Sequence, residues 1–171
     1  MLGTLDKVDG RWQLCFTRNL WHPPAKVWRA LTEPEHLRAW FPAVIEGERA
    51  AGAPLRFVFP NGEGPTLDGE MLAYHPPTLL EFRWGEDTFR FELRPDGDGS
   101  VLTFVNTFDE LGRASRDAAG WHTCLDLLEH ELAGERPPWA QRDRWQEVHR
   151  PYLDGFGPEA ATIGPPDQSK S

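Results

Sequence analysis

The sequence predicts an α+β fold: a curved antiparallel sheet wrapped around one long C-terminal helix, with two short helices after the first strand. Three observations predict it. Trp121, Leu125, Leu128 and Leu132, with Cys124 beside them, recur at helical spacing and give one continuous apolar face late in the chain. Ahead of them, aromatic and polar residues alternate in short segments, the period of strands with one buried face. Proline pairs and Gly-Asp clusters separate those segments at regular intervals. A helix with such a face needs a surface to cover, and the strands supply it.

The elements follow in order. Trp12, Leu14 and Phe16 alternate with Gln13, Cys15 and Thr17 as a first strand. Pro23-Pro24 stops it and opens a helix that sets Val27, Trp28 and Leu31 on one side, since proline is tolerated in a first turn. Thr32 as N-cap and Pro34 in the first turn start a second short helix carrying Leu37, Trp40 and Phe41. Leu55, Phe57 and Phe59 then form a strand that turns at Pro60-Asn61-Gly62, and Glu70 to His75 form another that ends at Pro76-Pro77. Leu80, Phe82 and Trp84 make the next, followed by Phe89, Phe91 and Leu93. Pro95-Asp96-Gly97-Asp98-Gly99 is a hairpin turn, because glycine and aspartate tolerate positive φ. Leu102, Phe104, Asn106 and Phe108 complete the sheet, and the long helix opens at Gly120-Trp121. Beyond Pro137-Pro138, the residues Trp145, Val148, His149 and Tyr152 mark a last amphipathic helix on the outside. The expected organisation is a folded unit over residues 1–134, a helical extension over 135–157 packed on it, and a disordered tail over 158–171.

Composition bounds the function. With eight Trp and ten Phe among 171 residues, a core is assured, each buried ring contributing roughly 2–3 kcal/mol. A net charge of −9 disfavours nucleic acid and anionic membrane surfaces as partners. No stretch reaches the roughly twenty apolar residues of a membrane span, and Met1 to Gly10, with Asp6 and Asp9, lacks the order of a signal peptide. Cys15 and Cys124 read as separate buried thiols, which points to a reduced, cytoplasmic protein.

Three motifs carry a family resemblance. The run from Arg18 to Trp40 holds Pro23-Pro24, Val27-Trp28, Ala30-Leu31-Thr32, Pro34 and Leu37; a second holds Gly69-Glu70-Met71-Leu72, Pro76-Pro77, Leu80 and Trp84; the third is Gly120-Trp121 with Leu125 and Leu128. Together they span residues 12–133, about seven-tenths of the chain. In them the chain resembles the START-like (SRPBCC) superfamily, in the branch related to activators of the ninety-kilodalton heat-shock protein's ATPase. The resemblance implies a helix-grip (START-like, Bet v 1-like) fold with an apolar cavity between sheet and long helix. Relatives bind lipids, polyketides, hormones or other hydrophobic small molecules, and some catalyse cyclisation or ring chemistry.

Other chemistry finds little footing. The histidines lack HExxH spacing, and His122 and His130 stand over two turns apart, so no metal is expected. No serine sits in a GxSxG elbow, and Cys124 and His122, two apart on a helix, diverge. Gly62, Gly64 and Gly69 read as a turn between strands rather than a phosphate loop. Asn106 shares parity with Phe104 and Phe108 and is expected on the apolar face, orienting a ligand or satisfying backbone. Glu70 shares parity with Leu72 and Tyr74, and His75 with Met71 and Ala73. Which set faces inward stays open, and a carboxylate on the solvent face is favoured over a general acid or base lining the cavity. The expected cavity residues are Trp40, Phe41, Phe57, Phe82, Trp84, Phe104, Asn106, Trp121 and Leu125, with no catalytic residue and no cofactor. The expected function is binding of a hydrophobic or aromatic small molecule. A cyclase- or hydrolase-type enzyme using the same cavity is one alternative. A protein-interaction or chaperone-linked role, through apolar surface around Trp145 and Tyr152, is the other, and a homodimer through the last helix stays open.

Overall fold

Aromatic residues at every second position of four adjacent strands decide the architecture. In the computed structural model, which describes residues 1–60 and 64–165, the strands are β1 (Thr4–Val8), β2 (Arg11–Leu20), β3 (Val44–Glu46), β4 (Pro54–Val58), β5 (Leu67–His75), β6 (Leu79–Trp84), β7 (Asp87–Asp96) and β8 (Gly99–Phe108). The helices are α1 (Pro24–Thr32), α2 (Pro34–Trp40), α3 (Ala114–Ala133) and α4 (Gln141–Phe156). Among the described residues the eight strands form one antiparallel sheet in the order β1-β2-β8-β7-β6-β5-β4-β3. This is the helix-grip arrangement, with α3 lying in the palm of the sheet and α4 packed against α3. Among the described residues no helix is long and apolar enough to cross a membrane.

Phe16, Phe57, Phe82, Phe89, Phe91, Phe104 and Phe108 are each at most 2% exposed. Their rings step across the palm in contact, with Phe91 and Phe104 stacked at 4.6 Å and Phe57 and Phe82 at 5.5 Å. The helices meet them with apolar faces: Val27, Trp28 and Leu31 from α1, Leu37 and Trp40 from α2, and Leu125, Leu128 and Leu132 from α3. The Trp40 indole N–H also donates to the Ala30 carbonyl at 2.9 Å, locking α2 onto α1.

Several expectations are corrected. Two edge strands, β1 and β3, escape the sequence reading because an edge strand carries charge and needs little alternation. Thr32 does not cap α2; its hydroxyl donates back to the Trp28 carbonyl at 2.8 Å, and Glu33 holds the cap position. Helix α3 begins at Ala114, six residues before the expected Gly120-Trp121 start, because Ala114, Ser115, Ala118 and Ala119 bury a face too small to register as apolar. A bulge between Met71 and Ala73 resets parity in β5, so Met71 and Tyr74 face inward while Glu70 lies opposite Arg83 and His75 is exposed. Neither Glu70 nor His75 therefore reaches the interior. Gly69 lies inside β5 rather than in a turn, paired with Trp84 and Leu55. Cys124 is buried, whereas Cys15 is half-buried on the outer face. Residues 158–171 were expected as a disordered tail, but Pro158–Ala161 form a 3-10 turn with Ala160 buried, and the Ile163 N–H donates to the Gly112 carbonyl. Asn61, Gly62 and residues 166–171 lie outside the described residues. Tyr152, expected on an exposed apolar surface, is 1% exposed, while Trp145 is half-buried.

A buried polar cluster fastens the layers. The Arg18 guanidinium donates to Asp126 at 2.7 Å and to Glu129 at 2.9 Å, and Arg144 donates to the other Asp126 oxygen at 2.8 Å. Burial opposes ionisation of Asp126, but the two arginines outweigh it and hold the carboxyl below its usual range. The Tyr152 hydroxyl accepts the Gly3 N–H at 2.8 Å and lies 2.7 Å from His122 Nδ1. Burial lowers the His122 pKa to about 4 against the opposing pull of Asp126, with Arg18 and Arg144 adding to the lowering. The neutral ring then accepts the tyrosine proton at Nδ1 and turns its own N–H, on Nε2, toward Asp126 Oδ2 at 3.6 Å.

Two outcomes follow. A Cβ on Gly69 would stand 2.0 Å from the Arg83 carbonyl oxygen and 2.6 Å from the Phe57 ring. Gly69→Ala should therefore cost about 3 kcal/mol, at the top of the overpacking range, read as a lower urea midpoint with unchanged slope. His122 ionises near 6.5 unfolded and near 4 folded, so the unfolded chain binds more protons between those values. Stability should fall by about 3 kcal/mol as pH drops across that window and level off below it. His122→Asn, which keeps an acceptor for Tyr152, should flatten the slope; an unchanged slope counts against this assignment.

Candidate functional site

Two short turns bring the site together. Gly85, at φ 56°, takes the first central position of a two-residue turn between β6 and β7, the place where such hairpins call for glycine. The turn sets Trp84 directly opposite Asp87 in the ladder. Facing them is a 3-10 turn, Leu111–Arg113, that delivers the chain into α3, so Arg113 and the first turns of α3 overhang the β6–β7 end of the sheet.

Between these parts lies an open cleft of about 580 Å³. Its wall is aromatic: Phe59, Trp84, Phe89, Trp121 and Trp145. Its rim is polar, formed by Asp87, Arg113, Arg116, Asp117 and Gln141. Trp121 is the hinge of the wall, with its ring 4.8 Å from Phe89, 5.3 Å from Phe104 and 6.4 Å from Trp84. Pro42, Gly120, Thr123 and Cys124 complete the lining, and a Cβ added at Gly120 would meet nothing nearer than Trp145 Nε1 at 3.9 Å. The absent side chain at 120 is part of the opening.

The rim is an ordered chain of charges. Arg113 pairs with Asp87 through Nη2, and its Nε lies 3.4 Å from Asp117. The Arg116 Nε donates to the same Asp117 at 2.9 Å. The Arg113 guanidinium also lies over the Phe108 ring at 5.1 Å. Burial raises the Asp117 pKa even though Arg116 and Arg113 both pull it down. Asn106, fully buried, donates to Asp87 at 3.3 Å and to the Thr88 carbonyl at 3.4 Å. It therefore sets the position of Asp87 from beneath.

Of the nine cavity residues expected from the sequence, Trp84 and Trp121 line the cleft. Phe41 touches both from behind, at 5.6 Å and 5.8 Å. Trp40, Phe57, Phe82, Phe104, Leu125 and Asn106 are buried in the core under it. The middle of the palm is thus filled with phenylalanine, and the open space between sheet and helix sits at the N-terminal end of α3. The charged rim was missed because the helix start was placed after it, and Trp145 because its helix was set on the outside. The tight turn at Gly85, with an aspartate directly opposite a tryptophan, was the available signal.

No nucleophile is set up in the cleft. Burial pushes the Cys124 thiol up to about 12, and His122 is committed to Tyr152 rather than to Cys124. Among the described residues no group of three or more metal-ligating side chains converges.

Comparison with known proteins agrees with this fold. CalU16 from Micromonospora echinospora is similar over 89% of this chain and 94% of its own, at 20% identity and a TM-score of 0.70. A conserved protein of unknown function from Enterococcus faecalis, EF2215, is similar over 90% of both chains, at 22% identity and a TM-score of 0.72. The protein encoded by gene BPP1335 of Bordetella parapertussis is similar over 88% of both, at 26% identity and a TM-score of 0.65. Comparison with curated proteins gives no match. The family model described as activator of Hsp90 ATPase homolog 1-like protein matches residues 22–133, from the start of α1 through α3. With its motifs, its helix-grip fold and most of its length in agreement, the chain belongs to the activator of Hsp90 ATPase homolog 1-like family, within the START-like superfamily.

Proposed function

We propose that the protein binds a hydrophobic, aromatic small molecule in the cleft at the N-terminal end of α3, without catalysing its conversion. One observation carries the reading: five aromatic side chains from four separate parts of the chain converge on a single open cleft of about 580 Å³. That volume lies within the range of small-molecule sites, roughly 300–1,000 Å³, and an aromatic wall with a few fixed polar groups is their usual lining. Trp84 and Trp121 are both half-buried, so each keeps a ring surface available while its other contacts hold it in place. A flat ligand gains most there, since ring surfaces pair in offset or edge-on geometry. Binding rather than turnover is favoured by the chemistry of the lining, where the one thiol is held protonated and both carboxylates are engaged by arginine.

Gly120→Leu tests the proposal without disturbing the core. The new side chain projects into the cleft, and replacing a helical glycine should keep stability or raise it by about 0.5–1 kcal/mol. The uncharged dye N-phenyl-1-naphthylamine should brighten on binding the wild type and bind the variant at least about tenfold more weakly. Equal binding to both proteins would place the dye elsewhere and sink the proposal.

A further inference from the structure

The polar rim narrows the kind of ligand, given that the cleft binds a small aromatic molecule at all. Its carboxylates are already paired with arginine. On Asp87, one oxygen receives Arg113 and the other Asn106 Nδ2 at 3.3 Å. On Asp117, one receives Arg116 Nε at 2.9 Å and the other faces Arg113 Nε at 3.4 Å. A ligand bringing a cation meets carboxylates whose charge is already paired with arginine, and two guanidinium groups of like charge.

The donors are in the opposite state. Arg116 engages Asp117 through Nε, while its two Nη groups have no partner among the described residues. Its side chain is 27% exposed, so those groups are reachable yet flanked by low-dielectric wall. Helical spacing then aims them. Arg116 and Gly120 stand one turn apart on the same face of α3, as do Asp117 and Trp121. With no side chain at 120, the way from the ring of Trp121 to the Arg116 guanidinium is unobstructed.

We infer that the cleft selects aromatic anions, with the ring system against Trp84 and Trp121 and an anionic oxygen, such as a carboxylate or sulfonate, on the Nη groups of Arg116. The planar fork of arginine suits such an oxygen pair, and charge-assisted hydrogen bonds are the strong ones. Asp117 keeps the guanidinium in place from its Nε side and leaves the far edge to the ligand.

Two dyes sharing one ring system test this: 1-anilinonaphthalene-8-sulfonate, an anion, and N-phenyl-1-naphthylamine, which is uncharged. Arg116→Gln should weaken the sulfonate about tenfold and leave the uncharged dye within about twofold, as expected for one charge-assisted contact. Arg116→Lys should restore most of the sulfonate affinity, and that affinity should fall with salt in the wild type more steeply than in Arg116→Gln. Loss of both dyes alike in Arg116→Gln, or of neither, overturns the inference while leaving aromatic binding standing. Failure of both dyes to bind the wild type overturns the binding proposal, and this inference with it.

Discussion

Two buried ion pairs of opposite polarity fix α3 on the sheet, and the rest of the molecule is arranged around them. Toward one end the sheet supplies the cation and the helix the anion, as Arg18 meets Asp126 at 2.7 Å. At the other end the roles reverse, and Arg113 from the helix start meets Asp87 from β7. The spacings agree. Arg18 lies opposite Leu102 on β8, and Thr88, next to Asp87, lies opposite Thr107. The anchors are thus separated by five to six strand residues, about 16–20 Å. Arg113 and Asp126 are thirteen helical residues apart, about 20 Å. A reversed helix would set arginine against arginine and aspartate against aspartate. Apolar contact alone could not distinguish the two directions, because burial is nearly indifferent to orientation. The pairs are weak sources of net stability, since desolvation offsets most of their attraction, but breaking one leaves a buried charge and costs several kcal/mol.

This anchoring explains why the palm is full in one region and open in another. Where α3 offers leucine, at Leu125, Leu128 and Leu132, it settles onto the phenylalanine floor and excludes space. Its first turns instead offer alanine, glycine and charge, and the Arg113–Asp87 pair holds that end over the sheet without filling the gap. Trp121 stands at the boundary between the two regimes, touching Phe104 on the core side and Trp84 on the open side. A cleft at this place is the geometric result of a helix whose side chains change size partway along the palm.

The fold was legible in the sequence because its evidence is periodic. Alternation of Leu80, Phe82 and Trp84, or of Phe89, Phe91 and Leu93, follows from the pleat and needs no knowledge of neighbours. The site was legible only in its aromatic half. Trp84 and Trp121 announced themselves by type and position, whereas Arg113, Arg116 and Asp117 precede the expected helix start and carry no apolar period. Their role depends on a turn at Gly85 almost thirty residues upstream, a relation no local pattern contains. The β5 bulge shows the same limit, since one extra residue at Leu72 reverses which side chains face inward without altering the composition of the strand.

The segment matched by the family ends at residue 133, and α4 lies beyond it. Yet α4 supplies Trp145 and Gln141 to the cleft, and it does so from a rigid position. Tyr152 ties α4 to His122 on α3 and to Gly3 at the start of the chain, while Arg144 ties it to Asp126. The same carboxylate that orients α3 on the sheet therefore also seats α4 on α3. Removing α4 would expose Trp121 and Gly120 to solvent along their outer side and reduce the cleft to a shallow aromatic shelf. The family core provides the palm and the grip; the depth of this site comes from the extension, held by the anchor that sets the core.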